Sequence, residues 1–444
     1  MLNVCRKVPR TKLLGSQARW MPGGEVVSSQ IPQVNSTECN ARPQLNHQVA
    51  VVEEPFAYFK EIVTGKRRLE ELNAFNGKVI GTMCNFVPEE LIYASGALPV
   101  RVCAGDYDAV NVGEEFLPRD ICALIKSTAG LIHSRQGIYG RLDALVIPAS
   151  CDGKKNLASA LATDADVPIH IMELPAIKDS DSGRRFWHEQ VMEFKDFVEY
   201  LTGNRISRTT LRCAIETLNA RCDAFRQFLE LRKSSPPVVT GEEALFVTCA
   251  SFFDDPMRWT KKLRESCRAL THNRREGITA SLCNAPRILL TGAPLIHPNF
   301  KLVQLIELTG ALVAIDELCS GTQRLYHPVV LHEWSVREML HAIAERYLLP
   351  TTCPCFVEHT DRLNRILELA EQFDVDGVVY HNLRICPLFD MESFAIQRTL
   401  KERGIPVLII HTDYTREDVE QLRNRVEAFI ELLSVSACKR TVAV

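Results

Sequence analysis

The chain lacks any excess of charge of one sign. Its 52 Lys and Arg stand against 55 Asp and Glu, a formal net charge of −3. Nucleic-acid-binding surfaces are strongly basic, so nucleic acid is not an expected partner. Long hydrophobic runs are missing too. None approaches the ~18 residues that a membrane-crossing helix needs, so no membrane span is expected. The first residues, MLNVCRKVPRTKLL, are basic but have no apolar stretch, and they do not read as a secretory signal. Several chemical signatures are absent as well. There is no GxGxxG or Walker loop, and no nucleophile elbow with Ser-His-Asp partners. There is also no CxxCxxC run of the ferredoxin kind and no pair of CxxC motifs of the zinc-ribbon kind.

Cysteine, by contrast, is abundant, with 16 in 444 residues. A secreted disulfide scaffold is normally far shorter. A cytosolic chain with this many thiols more often uses some of them for metal or redox work. Small buried apolar filling accounts for the larger share of them. Hydrophobic content of 46% and charged content of 24% are ordinary for a globular protein, and the length suits two or three domains.

Residues 1–52 are rich in Pro, Gly, Ser, Asn and Gln without periodicity and read as a poorly ordered tail. Residues 53–75 have amphipathic helical spacing. An N-terminal α/β lobe follows to residue 185, with KVIGTM (78–83), LPVRVC, ALVIPAS and PIHIMELP as buried strands. A helical segment spans 186–284, broken at Ser235-Pro236-Pro237. A C-terminal α/β lobe covers 285–444, with RILLTGAP, ALVAIDELC, GVVYHNLRIC and PVLIIHTD as strands and a closing helix in REDVEQLRNRVEAFIELL. KVIGTMC with SGALPVRVCAG matches RILLTGAP with TGALVAIDELCSG, and LDALVIPASCDG matches VDGVVYHNLRICPL. The lobes therefore read as a duplication, with Cys151 equivalent to Cys386 and Cys103 to Cys319. The fold class is α/β: two Rossmann-like, flavodoxin-like lobes with a helical middle segment.

Cys84, Cys122, Cys151, Cys319, Cys355 and Cys386 are each expected where a strand runs out, with Cys353 two residues from Cys355. Strand ends in an open α/β sheet are where ligands bind, and gathered thiolates are what an iron–sulfur cluster needs. Only Cys353-Pro354-Cys355 is a local pair, so spacing alone leaves two readings open, cluster ligands or buried thiols. The remaining motifs read as structure. Thr291-Gly292-Ala293-Pro294 is expected to be a tight strand–loop turn, Asp152 a helix cap and Lys154 and Lys155 solvated surface. Glu89 and Glu90 suit the positive first turn of a helix. His297, His381 and His411 read as satisfied polar groups near strand ends.

CNFVPEELIYASGALPVRVCAG, PRDICALIKS, PASCDGKKN, TGAPLIHPNFKLVQLIE, DELCSGT, CPC, CPLFDMESF and QLRNRVEAFIELL, in that order, resemble the D-component family of 2-hydroxyacyl-CoA dehydratases and benzoyl-CoA reductases. The resemblance runs over about residues 53–435 and is nearest to the double-cubane cluster proteins. It implies two [4Fe-4S] cubanes bridged by one sulfide, each held by three cysteines, in the cleft between the lobes. Cys122, Cys151 and Cys386 stand where the dehydratases keep the ligands of a single cubane. Cys84, Cys319 and one of Cys353 or Cys355 are the added thiols, with Cys103 in reserve. The resemblance also implies low-potential electrons from a separate ATP-hydrolysing iron–sulfur activator, a homodimer, a small-molecule substrate and an anaerobic cytoplasm. One alternative is an (R)-2-hydroxyacyl-CoA dehydratase subunit with one [4Fe-4S] cluster. Another is a cluster-bearing electron carrier without a substrate of its own. No catalytic acid or base is assigned.

Overall fold

Runs of aliphatic and β-branched residues that are buried on both faces pair in parallel and are covered by helices. The computed structural model describes residues 54–442 apart from 66, 165, 166, 281, 283 and 359. The tail expected over residues 1–52 lies outside the described residues. Each of the eight expected strand segments contains a strand. These are β1 (Val79–Thr82), β2 (Leu98–Arg101), β3 (Ala144–Pro148), β4 (Ile169–Met172), β5 (Arg287–Gly292), β6 (Leu312–Glu317), β7 (Gly377–Leu383) and β8 (Val407–Thr412). The one in PIHIMELP, expected to be buried, is instead an edge strand with Ile171 exposed, and the edge strand in PVLIIHTD is likewise only partly buried.

They form two parallel four-stranded sheets of orders β2-β1-β3-β4 and β6-β5-β7-β8. The orders are the same when each sheet's strands are counted from its own first, so the two Rossmann-like lobes share one topology. In each lobe the chain first steps outward (β1 to β2, β5 to β6), then returns past its starting strand. The reversal lies between β1 and β3 in one lobe and between β5 and β7 in the other. A reversal of this kind opens a crevice at the carboxyl ends of the strands.

The expectation that each candidate cysteine follows a strand needs correction. Cys84, Cys151, Cys319 and Cys386 do follow β1, β3, β6 and β7. Cys122 instead lies between the helices Asp108–Glu114 and Ala123–Ser134. Cys353 and Cys355 follow the helix Val336–Leu348. The reserve residue Cys103 is the one that follows β2.

Between the lobes run the helices Asp181–Thr202, Arg208–Arg232, Gly241–Ala250 and Pro256–Arg275. Their starts are set by local chemistry. The Ser180 hydroxyl accepts from the Gly183 N–H, Ser207 and Thr210 form a capping box, as do Thr240 and Glu243, and Asp255 caps a helix that opens on Pro256. One apolar core takes side chains from both sheets, among them Leu145, Leu289 and Val378. A second joins Ile80 and Val146 to Trp187 and to Met339 and Ile343 of the C-terminal half. Trp187 Nε1 donates to the Ala344 carbonyl at 2.9 Å. Residues from Glu54 onward thus pack as one unit.

Candidate functional site

Three thiols stand at the starts of helices. Cys122 is the N-cap of Ala123–Ser134, and Cys386 is the N-cap of Pro387–Glu402, with Pro387 supplying the preset first turn. Cys151 immediately precedes Asp152–Asp164. Helix starts carry unpaired N–H groups and a partial positive charge, which favours a thiolate or another anion. Neither the Cys122 nor the Cys386 sulfur takes a capping hydrogen bond; the Ile125 N–H bonds to the Cys122 carbonyl at 3.1 Å and the Asp390 N–H to the Cys386 carbonyl at 3.1 Å. Burial pushes the Cys122 thiol up, and the Cys386 thiol up to about 12. The three are mutual electrostatic neighbours: Cys122 and Cys151 both act on Cys386. Two come from the N-terminal lobe and one from the C-terminal lobe.

The other four candidates form a second set with the opposite division, Cys84 from the N-terminal lobe and Cys319, Cys353 and Cys355 from the C-terminal lobe. Cys84 sits two residues past β1 with φ of 59°, a conformation that residues with a side chain seldom adopt. Burial pushes the Cys319 thiol up to about 12, and Cys84, Cys353 and Cys103 are among its neighbours. The Cys353 thiol is raised well above its ordinary value, first by its hydrogen bond with Cys355 and then by burial. Cys84, Cys353 and Cys355 lie against the second core, and Cys122 and Cys386 against the first. Cys103 is buried beside Arg101 and Cys319, with Tyr139 and Tyr414 next to it. All eight thiols are free.

Two buried cations serve these thiols, and sequence reasoning missed both. Lys154, read from sequence as solvated, is 9% exposed. Its ammonium donates to Cys84 Sγ, and to Ser150 Oγ at 2.6 Å. Burial works against its charge, but Cys84 and Cys151 overcome that and hold its pKa well above the ordinary value. Its neighbour Lys155 is exposed and pairs with Asp152, which lies inside the helix and is not its cap. Arg101 ends β2 and is 3% exposed. It donates to Asn85 Oδ1 at 2.8 Å and to the Cys319 carbonyl at 2.9 Å, and it stands 3.8 Å from Cys319 Sγ. Burial raises the Cys84 thiol, and Lys154 and Arg101 more than reverse this, leaving it below its ordinary value. The signals were present in the sequence: a charge inside the buried run LPVRVC, and a lysine three residues past Cys151 on one helix.

Behind the second set lies a layer of paired polar groups. Asn85 donates to Gln323, which donates to Glu317 and Thr352. Arg362 pairs with Glu317 at 2.7 Å and with Glu392 at 2.9 Å, and donates to Thr291 Oγ1 at 3.1 Å. Glu317, Gln323 and Thr352 also wall a cavity of about 190 Å³. Glu89 and Glu90 are buried; Glu89 pairs with Arg221 at 2.6 Å and with Arg324. At Thr291–Pro294, expected as a tight turn, the strand β5 runs on through Gly292 and the chain bends at Ala293. Gly292 has φ of 109°, and a Cβ there would meet the His381 carbonyl oxygen at 2.0 Å. His381 Nδ1 lies 2.7 Å from the Ala293 carbonyl oxygen, while its Nε2 has no partner. His411 is half-exposed.

Among the described residues no three His, Cys, Asp or Glu side chains close on a single metal-ion position. The thiols are therefore not arranged as a mononuclear site. Their chemistry suits a larger anionic body: free thiols at helix starts and strand ends, two buried cations without carboxylate partners, and two apolar cores behind them.

The family model of the 2-hydroxyglutaryl-CoA dehydratase D-component matches residues 84–433, a span that includes every candidate thiol. YjiM of Escherichia coli (strain K12), a dehydratase subunit by name, is 32% identical over 83% of this chain and 95% of its own length. The (R)-phenyllactyl-CoA dehydratase beta subunit of Clostridium sporogenes is 23% identical over 85% of this chain and 98% of its own. One of the benzoyl-CoA reductase subunits of Thauera aromatica is 24% identical over 81% and 91%. No described helix is long and apolar enough to cross a membrane.

Proposed function

The chain belongs to the 2-hydroxyglutaryl-CoA dehydratase D-component family, and from that membership we propose that it is an iron–sulfur reductase whose two thiol sets hold a double-cubane cluster. Cys122, Cys151 and Cys386 would hold one [4Fe-4S] unit. Cys84, Cys319 and one of Cys353 or Cys355 would hold the other, with a sulfide between the units. Such a cofactor, when bound, supplies single low-potential electrons for reduction of a small molecule. An ATP-hydrolysing activator is the proposed electron donor, and the protein is proposed to be a cytoplasmic homodimer.

The observation that carries this reading is the pair of buried cations. Lys154 and Arg101 have cysteines and neutral polar groups as partners and no carboxylate among their hydrogen-bonding partners. A buried charge is costly unless it meets a counter-charge. Thiolates ligating iron supply one, because a coordinated thiol is deprotonated outright. The chain's own part is then threefold: it binds through six sulfurs, neutralises through helix starts and the two cations, and excludes water through the two cores.

A second reading is a subunit of an (R)-2-hydroxyacyl-CoA dehydratase with a single cubane. It is favoured by the helix-start set, which is complete in itself with three thiols. Iron and sulfide analysis after anaerobic purification separates the two readings. About eight irons per chain are expected for the double cubane and about four for the single one. A chain that takes up no iron under reconstitution fits neither.

A further inference from the structure

Lys154 has thiols of both sets around it. It is three residues past Cys151, and its backbone N–H bonds to the Cys151 carbonyl at 3.1 Å in the first turn of the helix Asp152–Asp164. That turn carries the ammonium away from Cys151's own set to Cys84 Sγ of the other, with Ser150 Oγ as its second partner. Cys151 and Cys353 are the next thiols whose electrostatics reach it. Arg101 differs in reach, since the sulfurs that act on it most strongly are Cys103, Cys319 and Cys84.

We propose that Lys154 is the fixed positive charge that couples the two thiol sets and sets the reduction potential of the iron–sulfur cofactor they hold. The proposal rests on the double-cubane reading and extends it to a positioning residue. One-electron reduction adds a negative charge to the cofactor, supplied by a low-potential reductant such as dithionite, and breaks no bond. A buried ammonium stabilises the more negative, reduced form over the oxidised one, and it does so strongly because little water screens it. Since it stands between the sets, its removal affects both halves at once.

The test is a redox titration of anaerobically reconstituted wild type, Lys154→Met, Lys154→Arg and, as an exposed-lysine control, Lys155→Met. Iron per chain and visible absorption are read alongside. Reduction of Lys154→Met is expected to be at least about tenfold less favourable, a fall in midpoint of ~59 mV per electron. Lys154→Arg and Lys155→Met are expected to stay near wild type. Loss of iron in Lys154→Met with retention in Lys154→Arg also supports the proposal, because charge is what the rescuing residue restores. An unchanged midpoint in fully loaded Lys154→Met overturns it. So does equal loss of iron in Lys154→Met and Lys154→Arg, which would make shape the cause. A wild-type chain that binds no iron fails the underlying reading, and this inference with it. A loaded wild type with an indifferent Lys154 fails this inference alone.

Discussion

A thiol at a helix start meets free N–H groups, whereas a thiol on a helix face meets whatever packs there. Cys151 and Cys386 are of the first kind. Cys213 is exposed, and Cys222 and Cys267 are buried on the helices Arg208–Arg232 and Pro256–Arg275. Cys151→Ala and Cys386→Ala are therefore expected to weaken iron retention against a chelator by roughly tenfold or more, with Cys213→Ala unchanged. Iron per chain and thiolate–iron absorption provide the check, and full retention in both helix-start variants would make these residues fillers. The cysteines were legible in sequence as chemistry. Lys154 was not, because a lysine beside an exposed lysine and an aspartate looks like solvated surface until the sulfur facing it is known.

At the scale of elements, Cys122 depends on how one pair of helices packs. Asp108–Glu114 and Ala123–Ser134 approach so closely that a Cβ on Gly113 would lie 2.1 Å from the Lys126 carbonyl oxygen. A Cβ on Gly130 would lie 2.0 Å from that of Ala109. The contacts are reciprocal and made by backbone, so neither side can yield by rotating a side chain. Buried Lys126 adds an ion pair to Glu114 at 2.7 Å. Gly130→Ala is expected to cost about 1–3 kcal/mol in urea unfolding, as overpacking does, and to shift the helix start that presents Cys122. Iron retention should fall together with stability. A variant with wild-type unfolding and iron content would show that the helices have slack. Strand positions were readable from runs such as ALVIP and GVVYHNL, because a strand buried on both faces has a composition unlike that of its flanks. The glycine contacts were not, since they require knowing which helix lies opposite.

For the whole molecule, Glu89 ties together elements far apart in sequence. It accepts from Arg221 of the middle helices and from Arg324 of the C-terminal half, and Arg324 donates to Ser251 at 2.8 Å. Burial would raise its pKa, but the two guanidiniums overcome burial and hold it at about 2, below its ordinary 4.5. A depressed acid stabilises the fold above its unfolded pKa, and that contribution fades as pH falls from about 4.5 towards 2. The amount is on the order of 3 kcal/mol. Urea unfolding at pH 7, 5 and 3 should show this acid limb. Glu89→Gln should flatten it while lowering stability at pH 7 by about 3–5 kcal/mol, since the arginines stay buried without their counter-charge. An unaltered acid limb in Glu89→Gln would assign the pH dependence to other carboxylates.

What the sequence determined by itself is periodic and local: eight strand segments, the helical segment between the lobes, the repeat of one lobe in the other, and the thiols that mark the site. These are legible because each depends on a residue and its near neighbours along the chain. What only the tertiary structure decided is how the thiols are shared out, two and one from the lobes in one set and one and three in the other. The placing of Lys154 and Arg101 among them was decided in the same way. A sulfur's partners are fixed by where two sheets and their helices bring distant segments together, and no spacing along the chain records that distance.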